Sequence, residues 1–299
     1  MNDREAELAI AYQNARPRLV RVAYAVLSSR AEAEDVVSDC WLRLIAADER
    51  DPVGDVEAWS TVTVARAALD ALRSARMRRE VYPGPWLPEP MVEAAPPGHD
   101  WPGQDPADRV TLDETISYAL LVVLETLTPA ERTAWVLHDV FGMAFTEVAE
   151  TVGRSPAAVR QLAARARGHI TARAPRVQVS KAEHDAAVTR FLNAAIGGDM
   201  SALLATLDPD VVLFSDGGGQ VSAARRPVYG ADRVARFLTG TARFYKPTEH
   251  VRMITVNGAA GLGLFDGDEL TGVASFTMNG DRIGRIDVIR APLKLRRLT

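Results

Sequence analysis

Five cationic or amide side chains and one serine lie close together between residues 154 and 167. Just before them, the apolar spacing from Phe145 to Val152 predicts a helix that Gly153 ends. A second helix is predicted at once, with Ser155 as its cap and Pro156 in its first turn. Guanidinium and amide groups on such a helix bind base edges and phosphates, so the pattern predicts a DNA-binding helix-turn-helix. The candidate contacts are Arg154, Ser155, Arg160, Gln161, Arg165 and Arg167.

The helix-turn-helix segment is basic although the whole chain is acidic. The whole chain carries a net charge of -4 at pH 7, whereas residues 146–174 contain five arginines against two glutamates. Affinity for a polyanion can therefore reside in one segment of an acidic chain. An ordinary helical hairpin with a solvated basic face would have the same spacing, and short two-helix patterns are common.

A second basic run ends the helix that is predicted from about Val56 to Arg79. Arg66 and Arg73 are seven residues apart and so share one face, where a line of cations could follow a phosphate backbone. Cations near a helix C-terminus also oppose the helix dipole, which explains part of the cluster but not Arg66. The candidate backbone contacts are Arg66, Arg73, Arg76, Arg78 and Arg79.

An acidic edge lies on the helix before it. Asp35 and Asp39 are four residues apart, beside an apolar stripe that runs from Ala33 to Leu44. Such an edge could bind a basic partner, and it could equally be the solvated side of a packed helix.

Composition limits the class of protein. The chain has 299 residues, of which 47% are hydrophobic and 25% charged, and no apolar run approaches the roughly 18 residues of a membrane span. Met1 leads into a polar run without a signal peptide, so a cytoplasmic location is expected. The single cysteine, Cys40, excludes an internal disulfide framework, and the five histidines have no metal-ligand spacing. We expect neither a metal nor a cofactor.

The chain divides into segments of different character. Residues 81–108 contain eight prolines and no Lys or Arg, which indicates a semi-rigid linker. From Lys181 the sequence predicts amphipathic helices with one strand among them, followed after about Leu238 by strand-like runs. Asn257-Gly258 and Asn279-Gly280 predict hairpins between these runs. The predicted bounds are a helical domain at 1–80, a linker at 81–108, a helix-turn-helix domain at 109–174, a short linker at 175–182 and an α+β domain at 183–299.

Three strings together resemble a sigma factor of the extracytoplasmic-function group. They are AEAEDVVSDCWLRL (31–44), EAWSTVTVARAALDALRSARMRR (57–79) and LTPAERTAWVLHDVFGMAFTEVAETVGRSPAAVRQLAARAR (127–167). The resemblance implies a multidomain chain with two all-α domains, sigma region 2 and sigma region 4, and partners that are RNA polymerase core and promoter DNA. It implies that Asp35 and Asp39 dock on the polymerase, that the helix ending near Arg79 reads the minus-10 element, and that the helix-turn-helix reads the minus-35 element.

Three shorter strings resemble a subgroup with a SnoaL-like C-terminal extension, an α+β cone with a curved sheet. They are WLPEP in the linker, DGGG in the extension and APLKL near the end, where the subgroup usually carries Asn-Pro-Asp-Lys-Leu. The resemblance implies that the extension regulates the helical domains through the linker. The residues implied in that contact are Trp86, Leu87, Pro88, Glu89, Pro90, Asp216, Gly217, Gly218 and Gly219.

Two positions depart from the family pattern. Ala67 replaces an asparagine that many sigma factors have near the flipped promoter base, and Leu162 replaces a frequent basic residue of the recognition helix. Assigning individual promoter bases to individual residues is therefore unsafe.

The main prediction is a monomeric initiation factor that is not an enzyme, with the extension as a built-in regulator. The alternative is that the SnoaL-like domain is a small-molecule-binding or isomerase/cyclase-type enzyme module fused to a DNA-binding regulator. Relatives of that fold use an Asp or His base, and a pocket in the cone could hold a small-molecule ligand. The available residues are His250, Asp266, Asp268 and Asp287.

Overall fold

A computed structural model of the chain describes residues 3–93, 116–173 and 179–296. These residues form two compact units. The helical unit contains residues 3–80 and 120–173, and the sheet unit contains residues 81–93, 117–119 and 179–296. Parts of both predicted linkers lie outside the described residues, so the domain bounds stay a prediction.

The helical unit consists of two groups of helices. The first group is α1 (Asp3–Leu27), α2 (Arg30–Asp48) and α3 (Val56–Glu80). The second group begins with α4 (Tyr118–Leu124), whose first two residues belong to the sheet unit, and with α5 (Pro129–Trp135). A π-helical turn (Val136–Val140) continues α5. It ends with α6 (Phe145–Val152) and α7 (Pro156–Arg173), which are the predicted helix-turn-helix.

Local signals determine where the helices of the second group start and stop. The residues Thr128, Pro129 and Glu131 are typical of a helix start, and Thr128 and Glu131 form a capping box at α5 with Pro129 in the first turn. Gly153 ends α6 with a left-handed φ of 69°, and the Ser155 hydroxyl accepts from the Ala158 backbone N–H at 3.3 Å. These predictions are confirmed.

The two helical groups share a hydrophobic core. Val22 of α1 and Ala65 of α3 are buried against residues of α5, the π-helical turn, α6 and α7. Leu162 packs against the same cluster, which explains why an apolar residue stands at this position of the recognition helix. Trp59 of α3 shares the spacing of the inward-facing residues of that helix, which predicts a mainly buried side chain, but it is only half-buried.

The sheet unit combines helices with a mainly antiparallel sheet. Its helices are α8 (Lys181–Gly197), α9 (Met200–Thr206), α10 (Ala231–Ala242) and α11 (Pro292–Leu295). Its strands are β1 (Val92–Glu93), β2 (Leu207–Asp216), β3 (Val228–Tyr229), β4 (Glu249–Val256), β5 (Ala259–Asp266), β6 (Glu269–Asn279) and β7 (Arg282–Ile289). Within the described ranges these strands form one sheet in the order β1-β4-β5-β6-β7-β2-β3, with only β2 and β7 parallel. Residues of α8, α9 and α10 share a core with β2, β5, β6 and β7.

The two predicted hairpins differ in register. Asn257 and Gly258 both have positive φ between the paired residues Val256 and Ala259, as a type I′ turn requires. In the other hairpin, Asn279 still pairs with Arg282, so the two loop residues are Gly280 and Asp281. The turn thus begins one residue later than the sequence predicts, because Gly280 alone takes the left-handed φ, at 63°.

The turn of the helix-turn-helix yields a test of stability. Gly153→Ala should destabilise the chain by about 1 kcal/mol, because a Cβ at a left-handed residue is strained even though open space surrounds this one. Gly168→Ala is the matched control, since Gly168 lies inside α7 and a Cβ there also meets nothing. It should stabilise the chain by about 1 kcal/mol. Urea unfolding measures both changes, and equal signs would contradict the assigned turn.

Candidate functional site

The recognition helix α7 presents its predicted DNA contacts to solvent. Arg154, Ser155, Arg160 and Gln161 are all exposed. The guanidinium of Arg160 lies 5.3 Å from the centre of the Phe145 ring, which holds it over α6 without enclosing it. This end of α7 is therefore accessible to a groove of DNA.

The other two predicted contacts on α7 already have carboxylate partners. Arg165 pairs with Glu131 at 3.1 Å, and Arg167 pairs with Asp139 at 2.5 Å. Both arginines are substantially exposed, so these pairs are weak and a phosphate could replace either carboxylate. The two pairs connect α7 to α5 and to the π-helical turn that continues α5.

The predicted minus-10 contacts on α3 mostly face the second helical group. Arg66 donates to the Glu150 carbonyl at 3.1 Å, and Arg76 donates to the Leu127 carbonyl at 2.9 Å. Arg73 instead pairs with Asp70 on its own helix, at 2.9 Å. The side chain of Arg78 lies outside the described residues. Together with Arg79, which the next paragraph describes, Arg66 and Arg76 thus bind groups inside the helical unit.

A buried charge network joins the two helical groups. Arg132 of α5, only 1% exposed, donates to the Ala25 carbonyl at 2.9 and 3.1 Å and also to the Ser28 hydroxyl. The Glu125 carboxylate pairs with Arg132 on one oxygen and with Arg79 of α3 on the other. One carboxylate therefore pairs with two cations that come from different groups.

The ionisation of Glu125 follows from these partners. Burial raises the pKa of the Glu125 carboxyl, but Arg132 and Arg79 outweigh burial and hold the pKa below its ordinary value of 4.5. A lowered folded-state pKa means that this contribution to stability is fully present above pH 4.5 and is lost as the pH falls through the folded-state value. The interface between the helical groups is accordingly stable at neutral pH and sensitive to acid.

The acidic edge of α2 faces solvent. Asp35 and Asp39 are exposed, and neither has an ion-pair partner among the residues that the structure describes. Leu42 continues the same helical face and is 69% exposed. Beside this face, a cleft of about 230 Å³ lies between α1 and α2, with Tyr12 and Trp41 in its wall. The two carboxylates and Leu42 are therefore accessible to a basic protein partner.

The first part of the linker is bound to the sheet unit through Asp216. This carboxylate is fully buried and pairs with Lys294 of α11 at 2.7 Å. It accepts from the Tyr82 hydroxyl at 2.6 Å and from the Leu87 backbone N–H at 3.0 Å. Lys294 also donates to the Leu87 carbonyl and lies 4.0 Å from the centre of the Trp86 ring. The predicted Trp86, Leu87 and Asp216 thus meet at one point; we call this group, with Tyr82 and Lys294, the linker clamp.

The linker continues from the clamp as an added edge strand. Met91 exchanges hydrogen bonds with Asn257, at 2.8 Å to the backbone N–H and 3.0 Å to the side-chain oxygen. Val92 then pairs with Val256, so that β1 extends the sheet beside β4. Between these points Glu89 and Pro90 are buried, and the Pro88 carbonyl accepts from the Tyr118 hydroxyl at 3.0 Å.

Of the predicted glycines, Gly219 allows the linker to approach closely, because a Cβ there would lie 2.6 Å from Pro83. A Cβ at Gly218 would lie 3.0 Å from the Cβ of Ala291, just before α11. Gly217 is closed in by its own loop, where a Cβ would meet the Val221 carbonyl at 2.4 Å. Steric crowding therefore explains why glycines occupy the three positions after Asp216.

Sequence reasoning missed three members of this contact, namely Lys294, Tyr82 and Asn257. Lys294 carried a signal, since it is one of three residues of APLKL that agree with the subgroup's string. Tyr82 precedes WLPEP and carried none. Asn257 was noted only as a turn residue, and its side-chain bond to Met91 requires the tertiary fold.

The four residues considered for catalysis differ in burial and in their partners. Asp287 is buried and pairs with Arg285. Burial raises the pKa of the Asp287 carboxyl and outweighs Arg285, which lowers it. Asp266 pairs with Lys246 at 2.5 Å on the surface, and His250 and Asp268 are exposed. No group of three or more His, Cys, Asp or Glu side chains that could hold a metal occurs among the described residues. None of the helices described is long and apolar enough to cross a membrane.

Because the Asp216–Lys294 pair of the linker clamp is buried, we expect a large energetic coupling between the two residues. Asp216→Asn or Lys294→Met alone should cost about 3–5 kcal/mol of unfolding free energy, because each leaves its buried partner without a counter-charge. The double variant should cost much less than the sum of the two. The matched control is Lys246→Met with Asp266→Asn, an exposed Lys–Asp pair in the same unit, which should be close to additive. Additivity at the clamp, measured by urea unfolding of all variants, would contradict the assigned pair.

The buried network predicts that Glu125→Gln separates the two helical groups. The amide cannot neutralise the guanidinium groups of Arg79 and Arg132, so their mutual repulsion opposes the closed packing. Asp70→Asn is the control, since it removes the same charge from an exposed pair within α3.

Resonance energy transfer between dyes on Arg50→Cys and His169→Cys measures this separation. Both positions are exposed, one in each group, and the native Cys40 is buried away from the dye reagent. Transfer should fall for Glu125→Gln and stay unchanged for Asp70→Asn. Equal transfer in the two variants would mean that the apolar core alone holds the groups together.

Comparison with known proteins agrees with this arrangement. The family Sigma-70 region 2 matches residues 11–78, and the family Sigma-70, region 4 matches residues 117–170. The chain is 41% identical to the ECF RNA polymerase sigma factor SigJ of Mycobacterium tuberculosis over 237 residues, which cover 79% of this chain and 73% of the relative. It is 33% identical to a probable ECF sigma factor, SigI, of the same species, over 96% of this chain and 94% of the relative.

A solved structure extends the similarity to the sheet unit. The crystal structure of the Mycobacterium tuberculosis sigma factor SigJ superposes with a TM-score of 0.75 and 33% identity, covering 95% of this chain and 97% of that one. The predicted fold class, two all-α parts followed by an α+β sheet domain, is thereby confirmed. The two helical groups and the sheet unit therefore follow one known architecture, and the chain belongs to the family of extracytoplasmic-function RNA polymerase sigma factors.

Proposed function

We propose that this chain binds RNA polymerase core through α2, directs it to promoters through α3 and α7, and is regulated by its own sheet unit. The observation that carries the proposal is the exposed face of Asp35, Asp39 and Leu42. A repressor that only binds DNA does not need such a face, whereas an initiation factor must hold a large protein partner as well. These partners suit a chain that acts in the cytoplasm.

The closed helical unit is the resting form in this proposal. Elements centred near minus-10 and minus-35 are about 25 base pairs apart, or about 85 Å along B-DNA at about 3.4 Å per base pair. Here the minus-10 helix and the helix-turn-helix are in direct contact, with Arg66 bonded to Glu150. Both elements can be read together only after the two helical groups separate.

The sheet unit supplies a reason for the groups to stay together. It binds Tyr82, two residues after α3 ends, and the docked Pro88 in turn holds Tyr118, where α4 starts. The long connection between the groups is thereby bridged by contacts near its two ends. Separation of the groups to the distance that a promoter requires is easier once these contacts are released. Regulation in this proposal consists of making and breaking the linker clamp.

The polymerase-docking face is tested by reversing its charge. Asp35→Lys with Asp39→Lys should abolish binding to purified core polymerase, because the polymerase surface that it faces is expected to be basic. The control is Asp268→Lys with Asp281→Lys, an equal charge change at two exposed hairpin turns of the sheet unit. Binding is measured by co-migration with core in size-exclusion chromatography. Unchanged binding of the first variant would remove this face from the proposal.

Regulation is tested by promoter-dependent transcription with the full chain. Lys294→Met should raise initiation several-fold over the wild type, because it releases Trp86 and Leu87 from the clamp and frees the linker to extend. The control Lys246→Met should initiate like the wild type. Equal initiation by Lys294→Met and the wild type would exclude the clamp as a regulator. Failure of every form to initiate at any promoter would refute the sigma function itself.

A further inference from the structure

One segment of the sheet unit differs sharply in charge from the rest of the chain. Between Arg225 and Lys246 the sequence contains six Arg or Lys residues and one carboxylate, Asp232, although the net charge of the whole chain is -4. The segment comprises the loop before β3, β3 itself, α10 and the turn that follows. Neither the linker clamp nor the sheet core requires cations at these positions.

The cations of α10 are aligned on one face. Arg233 and Arg236 of α10, and Arg243 directly after its last turn, follow each other at spacings of three and seven residues along one side, and all are exposed. The opposite side, with Val234 and Ala235, is buried in the core of the unit. At a rise of about 1.5 Å per residue the row is about 15 Å long, comparable with four or five base steps of DNA.

An exposed aromatic side chain ends this row. Phe244 directly follows Arg243 and is 86% exposed, and Tyr245 beside it is also exposed. A phenylalanine so open to water has no role in the core of the unit. Basic rows that end in an open aromatic ring are typical of surfaces that hold a phosphate backbone and stack a base.

Few of these cations are neutralised by the protein. Arg236 pairs with Asp232 on the same helix at 3.1 Å, an exposed pair of little strength. Arg233 and Arg243 have no ion-pair partner within residues 3–93, 116–173 and 179–296. The row can therefore exchange its counter-ions for phosphates.

We propose that the exposed face of α10, with Arg233, Arg236, Arg243 and Phe244, is an additional DNA-binding surface that contacts promoter DNA outside the elements read by α3 and α7. This inference rests on the proposed sigma function. A regular row of guanidinium groups suits the evenly spaced charges of a nucleic-acid backbone, and the aromatic ring suits an unstacked base. An acidic protein surface is the rival occupant, which the experiment below separates from DNA.

The test compares two triple variants of the full chain. Arg233→Gln with Arg236→Gln and Arg243→Gln removes the row. Lys181→Gln with Arg190→Gln and Arg282→Gln removes three exposed cations elsewhere in the same unit. Both variants are assembled with core polymerase, and their affinity for a duplex promoter fragment is measured between about 50 and 200 mM salt.

The row variant should bind the promoter at least tenfold more weakly at low salt. Its slope of log affinity against log salt should be smaller by about 2 to 3, because each phosphate contact contributes about 0.9 to the slope. The control variant should match the wild type in both quantities. Phe244→Ala should weaken binding to a single-stranded oligonucleotide roughly tenfold or more.

The outcomes distinguish the alternatives. Unchanged promoter affinity and salt slope of the row variant would overturn the DNA-binding surface. Weaker binding to core polymerase, with unchanged DNA binding, would assign the row to an acidic protein surface and also overturn it. If the wild-type holoenzyme initiates while the row variant binds DNA normally, only this inference fails; if the wild type never initiates, the sigma function fails.

Discussion

A single carboxylate shared by two cations determines the arrangement of the helical unit. Glu125 takes Arg132 on one oxygen and Arg79 on the other, and Arg132 also donates to the end of α1. Neither arginine could be buried here without that carboxylate, because a buried charge is stable only when it is paired and fully hydrogen-bonded. This network therefore supports the contact of the two helical groups, together with their shared hydrophobic core.

The sheet unit uses the same physical device at a different place. Asp216 and Lys294 form a second buried pair, and around it the linker contributes a backbone N–H, a carbonyl, a phenol and an indole ring. Such a site is specific, because every polar group has a partner of matching chemistry. It is also reversible, since a linker segment that leaves exchanges these bonds for bonds to water. A clamp of this kind suits regulation better than a hydrophobic interface alone would.

Exposed charges of opposite sign lie on different parts of the chain. The acidic and apolar face of α2 suits a protein partner, while the exposed end of α7 and the row on α10 suit a polyanion. Electrostatic attraction of this kind acts at a distance and depends on salt, whereas the buried pairs of the interior hardly do. In the proposed function, exposed charges thus govern association with polymerase and DNA, and buried charges stabilise the closed form.

Much of the local structure is determined by the sequence alone. Thr128 and Glu131 fix the start of α5, Gly153 fixes the turn of the helix-turn-helix, and Asn257-Gly258 forms the expected hairpin, because caps and tight turns depend on a few adjacent residues. The α+β class of the last part also follows from its periodicity.

The partners of charged residues were decided only by the tertiary structure. Arg79 shares the basic run of α3 with Arg73, yet Arg79 is drawn into a buried network while Arg73 stays on the surface. Asp216 and Lys294 are 78 residues apart along the chain. Periodicity assigns a residue to a face of its own element, but burial and pairing depend on which other element covers that face, and long-range packing alone determines this.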